Sequence, residues 1–207
     1  MNKTIAKSIF QKELEDYQFR VYNSRPDFKI HQVNQVHEAE IATSPCTDEL
    51  SADGILSQNK NDILAIKTAD CLPVAFIGRL GSCLVHAGWR GVAKKILVHE
   101  KLKSLQVEEI FIGPCIHACC FEVQEDFKDN FPNSRNFQNT NGQTYFDLVE
   151  EASEQMRSFF PNVNVKDSKI CTMCDMNFHS YRRDKTQQRN WNILAHKDIL
   201  NKNEENI

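Results

Sequence analysis

Four short apolar runs between residues 63 and 112 constrain this chain more than any other feature. They are ILAIK (63–67), LPVAFI (72–77), SCLVH (82–86) and EEIFI (108–112). Each has strand length and is bounded by glycine or charge, as buried strands are. Pro73 places the second run at a strand start or on a sheet edge, because proline donates no ladder hydrogen bond. Gly78, Gly81, Gly88, Gly91 and Gly113 fall in the same stretch and predict tight turns around one centre. Helices are expected over 92–105, where Val92, Ile96, Leu97 and Leu102 stand near helical spacing, and over 145–160. The second has Leu148, Val149, Ala152 and Met156 on one side, Asp147 to cap it and Pro161 to end it. Residues 163–171 alternate weakly and predict one more strand. Strands and helices that alternate irregularly indicate an α/β or α+β class, here as a single domain over 1–207 with a frayed polar tail from 201.

Composition removes several function classes. The 207 residues carry 25 Lys+Arg against 28 Asp+Glu, a net charge of -3, so no basic excess points to nucleic acid. No run approaches the roughly 18 apolar residues of a membrane span. Lys3, Lys7, Lys12 and Glu13 interrupt the N-terminus, which argues against a secretory signal and for a cytoplasmic protein. In that compartment the eight cysteines read as reduced thiols or metal ligands rather than as a disulfide framework.

Three segments hold ligand-type residues at expected strand ends: NQVH at 34–37, KTADC at 67–71 and VHAGWRG at 85–91. His37, Cys71 and His86 are too far apart for a local zinc finger, but strands can bring them together. Two imidazoles and one thiolate suit Zn²⁺ and leave one coordination position open, as a catalytic site requires. The same residue types also fit a metal-free Cys–His hydrolase, with Cys71 as nucleophile and His86 as base. A structural zinc module is a further reading, built from Cys115, Cys119, Cys120, Cys171 and Cys174, although only Cys171–Cys174 has C-x₂-C spacing. A nucleobase deaminase of the H-x-E…P-C-x-x-C type does not fit, since Glu38 follows His37 directly and three residues separate Cys115 from Cys119.

KTADCLPV, HAGWRG, IGPCI with CCFEV, and CT followed by SYRRD occur in that order after NQVH. Together they resemble the laccase-domain family, also described as YfiH-like or multicopper polyphenol oxidoreductase-like proteins. The matching blocks run from Asn34 to about Arg189. The resemblance implies a mixed β-sandwich core flanked by helices, of the YfiH-like cysteine-hydrolase type. It implies a zinc-dependent purine nucleoside phosphorylase that cleaves adenosine, inosine, guanosine or methylthioadenosine with phosphate, and adenosine deamination as an added activity. The metal ligands it implies are His37, Cys71 and His86. A copper-dependent polyphenol oxidoreductase follows from the older family name, but seven scattered histidines do not supply the clusters that chemistry needs. In the phosphorylase role Arg90, Arg182 and Arg183 are candidates to hold phosphate, since guanidinium forks suit it. Asp70 is a candidate to orient a ligand or bind a ribose hydroxyl, and Gln35 and Lys67 to meet substrate. Four features depart from the family pattern: no Gly-rich segment stands before NQVH, Glu38 replaces the usual glycine, His117-Ala118 stands where Gly-Pro usually precedes the CC pair, and KTQQRN follows SYRRD. They predict a substrate pocket partly built by other residues.

Overall fold

The computed structural model describes residues 6–204; the first five residues and the last three of the expected tail lie outside it. The strands in chain order are β1 (Ser8–Leu14), β2 (Tyr17–Tyr22), β3 (Ile41–Thr43), β4 (Gly54–Ser57), β5 (Leu64–Thr68), β6 (Leu72–Gly78) and β7 (Gly81–Ala87). After them come β8 (Val107–Ile112), β9 (Glu122–Val123), β10 (Phe137–Thr140), β11 (Gln143–Phe146), β12 (Asn164–Asp167) and β13 (Asn190–His196). The α-helices are α1 (Trp89–Ala93), α2 (Leu148–Phe159), α3 (Tyr181–Asp184) and α4 (Lys197–Glu204). Six strands form a mixed sheet in the order β12-β8-β6-β7-β4-β3, and four form an antiparallel sheet in the order β1-β2-β13-β5. Strands β10, β11 and β9 make a small third sheet.

Period-two alternation explains how the large sheets stack. In β6, Ala75 and Ile77 face Phe19 and Val21 of β2 and Leu64 and Ile66 of β5, across the layer between the two sheets. Val74 and Phe76 face the other way, onto Ile96, Leu102 and the apolar side of α2. Ala65 of β5 and Ile193 and Ala195 of β13 meet Leu200 of α4 on the outer face of the four-stranded sheet. The result is the mixed sandwich flanked by helices. Phe111 of β8 anchors the middle layer with its ring 5.3 Å from that of Phe19.

Of the two placements Pro73 allowed, the structure has the strand start, in a β6 that is central in its sheet. Three other elements differ from expectation. The helix expected over 92–105 is instead α1 followed by two 3-10 turns, Ile96–Val98 and Glu100–Leu105. Its apolar positions are buried as their spacing requires, but Lys95 is left-handed at φ 66° and His99 is extended. The chain keeps Val92, Ile96, Leu97 and Leu102 in the core beside β6 and β7 at the expense of helical continuity. The second helix begins at Leu148, not 145, because Gln143–Phe146 pair as β11. Asp147 caps it by accepting from the Glu150 N–H at 2.9 Å. The strand expected over 163–171 is shortened to Asn164–Asp167.

Candidate metal centre and its cavity

The three ligand-type residues come from three different segments. Cys71 sits between β5 and β6, His86 near the end of β7, and His37 in the loop before β3. Their donor atoms lie within 4.8 Å of one another, the reach of three groups sharing one ion. The His37 and His86 rings meet edge to face with centroids 4.7 Å apart. Side chains on β7 alternate, so His86 points with Ser82 and Leu84 into the layer between the sheets.

His37 is in a loop and not at a strand end, with φ 60°, a conformation rare outside glycine. Asp53 holds it there. This carboxylate, fully buried just before β4, accepts N–H bonds from His37 (3.0 Å) and Glu38 (2.7 Å). Its Oδ1 also lies 2.8 Å from Nδ1 of His86. That contact directs Nε2 of His86 towards Cys71 and His37, the arrangement in which a metal-ligating histidine is oriented by a carboxylate behind it. Burial alone would raise the Asp53 carboxyl, but His86 and the two backbone N–H groups outweigh it and hold it low.

Charge in the group is distributed as an ion pair. Burial alone would raise the Cys71 thiol; the neighbouring His86 charge and hydrogen bonds from both histidines bring it down to about 6. Burial alone would lower His86, yet Cys71 and Asp53 lift it to about 9. A low thiol beside imidazole is what a thiolate ligand or a thiolate nucleophile needs. Gly88 borders the group: a Cβ there would stand 3.2 Å from Cys71 Sγ and 3.5 Å from the His37 ring. The donor set, its spacing and the carboxylate behind His86 therefore fit a zinc ion.

The group opens into a cavity of about 1180 Å³. Arg25, Lys67, Arg90, Arg182, Lys185 and Arg189 line it, against a single carboxylate, Asp70. Asp70 has both oxygens engaged, accepting from Thr172 Oγ1 at 2.8 Å and from the Arg182 N–H at 2.7 Å. Asp70, itself at φ 85°, thus fixes the turn that leads into Cys71 and ties it to α3. Gln35 is similarly engaged: its amide pairs with both backbone groups of Lys67, at 2.7 and 2.8 Å. Arg90 lies over Trp89, and Arg182 over Phe121 with Nη1 donating to the Glu122 carbonyl. Arg183 points elsewhere. Its guanidinium donates to the carbonyls of Thr172, Met173 and Phe178 and to Asp184. Glu38, next to His37, pairs with Lys94 at the surface.

Sequence reasoning missed Asp53, Arg25 and Trp191. Trp191 of β13 stands opposite Lys67 of β5, with Lys67 and Arg25 over its ring at 5.7 and 5.9 Å. Arg25 lies in the segment just before NQVH, ahead of the ordered motif blocks.

A family model described as multi-copper polyphenol oxidoreductase laccase matches residues 18–196. A purine nucleoside phosphorylase of Aquifex aeolicus is 37% identical over 146 residues, covering 68% of each chain. One of Borreliella burgdorferi is 32% identical over 151 residues, covering 66% of this chain and 65% of that one. The chain thus spans about two thirds of the length of these relatives. Among solved structures, YlmD from Geobacillus stearothermophilus has a TM-score of 0.70 at 26% identity, covering 80% of this chain and 73% of that one. A Neisseria meningitidis protein has a TM-score of 0.77 at 21% identity, covering 92% and 98%, and shares the fold. With the ordered motifs, the sandwich and the matched span in agreement, the chain belongs to the laccase-domain family, whose members include proteins named purine nucleoside phosphorylase.

Proposed function

We propose that this protein is a zinc-dependent purine nucleoside phosphorylase, with His37, Cys71 and His86 holding the metal. The observation that carries this reading is the charge of the cavity: six Lys or Arg side chains converge beside the ligand group, and the one carboxylate is already satisfied by the chain's own donors. Such a cavity suits an anionic nucleophile, and the names of the relatives give the reaction class.

In phosphorolysis a phosphate oxygen bonds to C1′ of the ribose while the C1′–N9 bond breaks and the base leaves with a proton. Arg90 and Arg182 offer guanidinium forks to hold the phosphate, the bidentate geometry such groups favour. Trp89, Tyr181 and Trp191 offer faces on which a purine can stack. Asp53 keeps His86 in one tautomer, and Asp70 keeps the Cys71 turn in place. When bound, zinc supplies Lewis acidity beside the reacting centre. Adenosine, inosine, guanosine and methylthioadenosine are the substrates to compare, with inosine formation from adenosine read in the same assay.

Replacing Arg90 by Ala tests the phosphate role. Loss of a charge-assisted hydrogen bond is worth about 1.5–3 kcal/mol, so KM for phosphate rises roughly 10- to 100-fold with KM for nucleoside little changed. An unchanged phosphate KM refutes it.

One observation favours a second reading. Asp53, His86 and Cys71 stand in the order of a carboxylate, a base and a lowered thiol, which also describes a cysteine hydrolase. Metal dependence separates the two, since a chelated, zinc-free hydrolase keeps its turnover and the phosphorylase loses it. Multicopper oxidation is the least suited, because among the described residues one metal-type group alone contains histidine.

A further inference from the structure

A second group of sulfurs lies outside the His37–Cys71–His86 centre. The sulfurs of Cys119, Cys120, Cys171 and Cys174 all lie within 4.8 Å of one another. Cys120 and Cys174 are 3.3 Å apart, Cys119 and Cys120 3.6 Å, and Cys119 and Cys174 3.8 Å. A zinc ion about 2.3 Å from four thiolates at the corners of a tetrahedron sets its sulfurs roughly 3.8 Å apart. A disulfide needs a separation of about 2.05 Å, and all four cysteines are free. Burial also fails to explain the group. Free cysteine is usually a buried residue, whereas Cys119 and Cys174 are exposed. The fifth cysteine nearby, Cys115, is buried and stands apart from the group.

The turn at Cys171–Cys174 is built to present thiolates. The N–H groups of Cys174 and Asp175 both donate to the Cys171 carbonyl, at 3.1 and 2.9 Å, and curl the chain around the sulfur. The amides of His117, Cys174 and Met173 are directed at Cys171 Sγ, where they stabilise negative charge. Behind the turn, Arg183, its charge paired with Asp184, donates to the carbonyls of Thr172 and Met173 and braces the loop that carries Cys171 and Cys174. This gives the arginine of the SYRRD block that faces away from the cavity a task.

We propose that Cys119, Cys120, Cys171 and Cys174 form a second, tetrahedral zinc site, structural rather than catalytic, that clamps the segment before β9 to the segment before α3. Four protein ligands leave no open position, which is the mark of a structural site. Each clamped segment shapes the cavity. Phe121 follows Cys120 and carries the Arg182 guanidinium on its ring. Thr172 follows Cys171 and donates to Asp70, the residue before the Cys71 ligand. The ion thus holds the cavity wall without touching substrate, and the inference stands whatever reaction the cavity performs.

The test is metal content of the purified full-length protein by plasma mass spectrometry, with X-ray absorption at the zinc edge. Wild type is expected to hold two zinc ions per chain. The His37→Ala/Cys71→Ser variant leaves the four-cysteine group intact and is expected to keep one, with sulfur-only coordination at about 2.3 Å. Cys119→Ser/Cys174→Ser is expected to keep one ion with mixed nitrogen and sulfur ligands. Should that variant fail to fold, cobalt(II) loading of His37→Ala/Cys71→Ser decides the matter through the charge-transfer intensity of four thiolates. A folded His37→Ala/Cys71→Ser protein without zinc, iron in place of zinc, or a Cys120–Cys174 disulfide in the freshly purified protein overturns the proposal.

Discussion

Asp53→Asn is the substitution that most sharply probes how the first metal centre is held. It changes almost no volume and removes one charge at a fully buried site. Every neighbour of the Asp53 carboxylate is a donor: His86 Nδ1 and the His37 N–H on Oδ1, and the Glu38 and Val36 N–H groups on Oδ2. An asparagine amide turned either way sets its NH₂ against two of them. Each buried donor left without an acceptor costs about 1–3 kcal/mol, so a loss of roughly 2–4 kcal/mol is expected after partial relaxation. For a chain of this size that lowers Tm by roughly 5–15 °C. His86 also loses the carboxylate that orients its ring, and such losses weaken metal binding about 10- to 100-fold. Competition against a chromophoric zinc chelator reads the affinity, and thermal unfolding of the chelated protein reads the stability. Zinc affinity within about twofold of wild type would refute the role given to Asp53.

Three further outcomes follow from the same geometry. In zinc-free protein the Cys71 thiolate, followed by its ultraviolet absorbance, titrates near pH 6. The pair's stability is lost as pH falls through about 6, where Cys71 takes up a proton, and as pH rises through about 9, where His86 loses one. His86→Ala moves the thiol titration upward, and an unmoved titration contradicts the pairing. Gly88→Ala places a methyl 3.2 Å from Cys71 Sγ and 3.5 Å from His37, so it weakens zinc binding while leaving circular dichroism unchanged; equal affinity by chelator competition would count against the site. Phe111→Ala, far into the layer between the sheets, lowers stability to urea by about 3–5 kcal/mol with zinc stoichiometry intact.

What the sequence made legible was local. The runs at β5 to β8 could be read because each is short, apolar and sharply bounded, and the three ligands because they stand in distinctive blocks. The N-terminal strands could not. All six residues of β2 are buried, Gln18 and Arg20 included, so its alternation of polar and apolar residues does not mark one wet face. Asp53 left no trace because its role depends on register. Gly54 of β4 pairs with Val85 of β7, which sets the residue before β4 beside His86. No spacing within the chain encodes that adjacency. The helix expected over 92–105 shows the converse: the apolar spacing was real, and the left-handed turn at Lys95 that breaks it has no signature in residue type. The four-cysteine group was visible only as an irregular pattern, because a vicinal pair, Cys119 and Cys120, does the work of one C-x₂-C half.

In the proposed reaction the cationic cavity beside His37, Cys71 and His86 delivers phosphate to a nucleoside. Oxygen-18-labelled phosphate tests it most directly, with adenosine as substrate, mass spectrometry of the sugar product and zinc-free His86→Ala protein as control. Adenine is expected together with ribose-1-phosphate that carries the label at its bridging oxygen, and neither product from the control. Free ribose without incorporated phosphate, or undiminished turnover by the control, would contradict it.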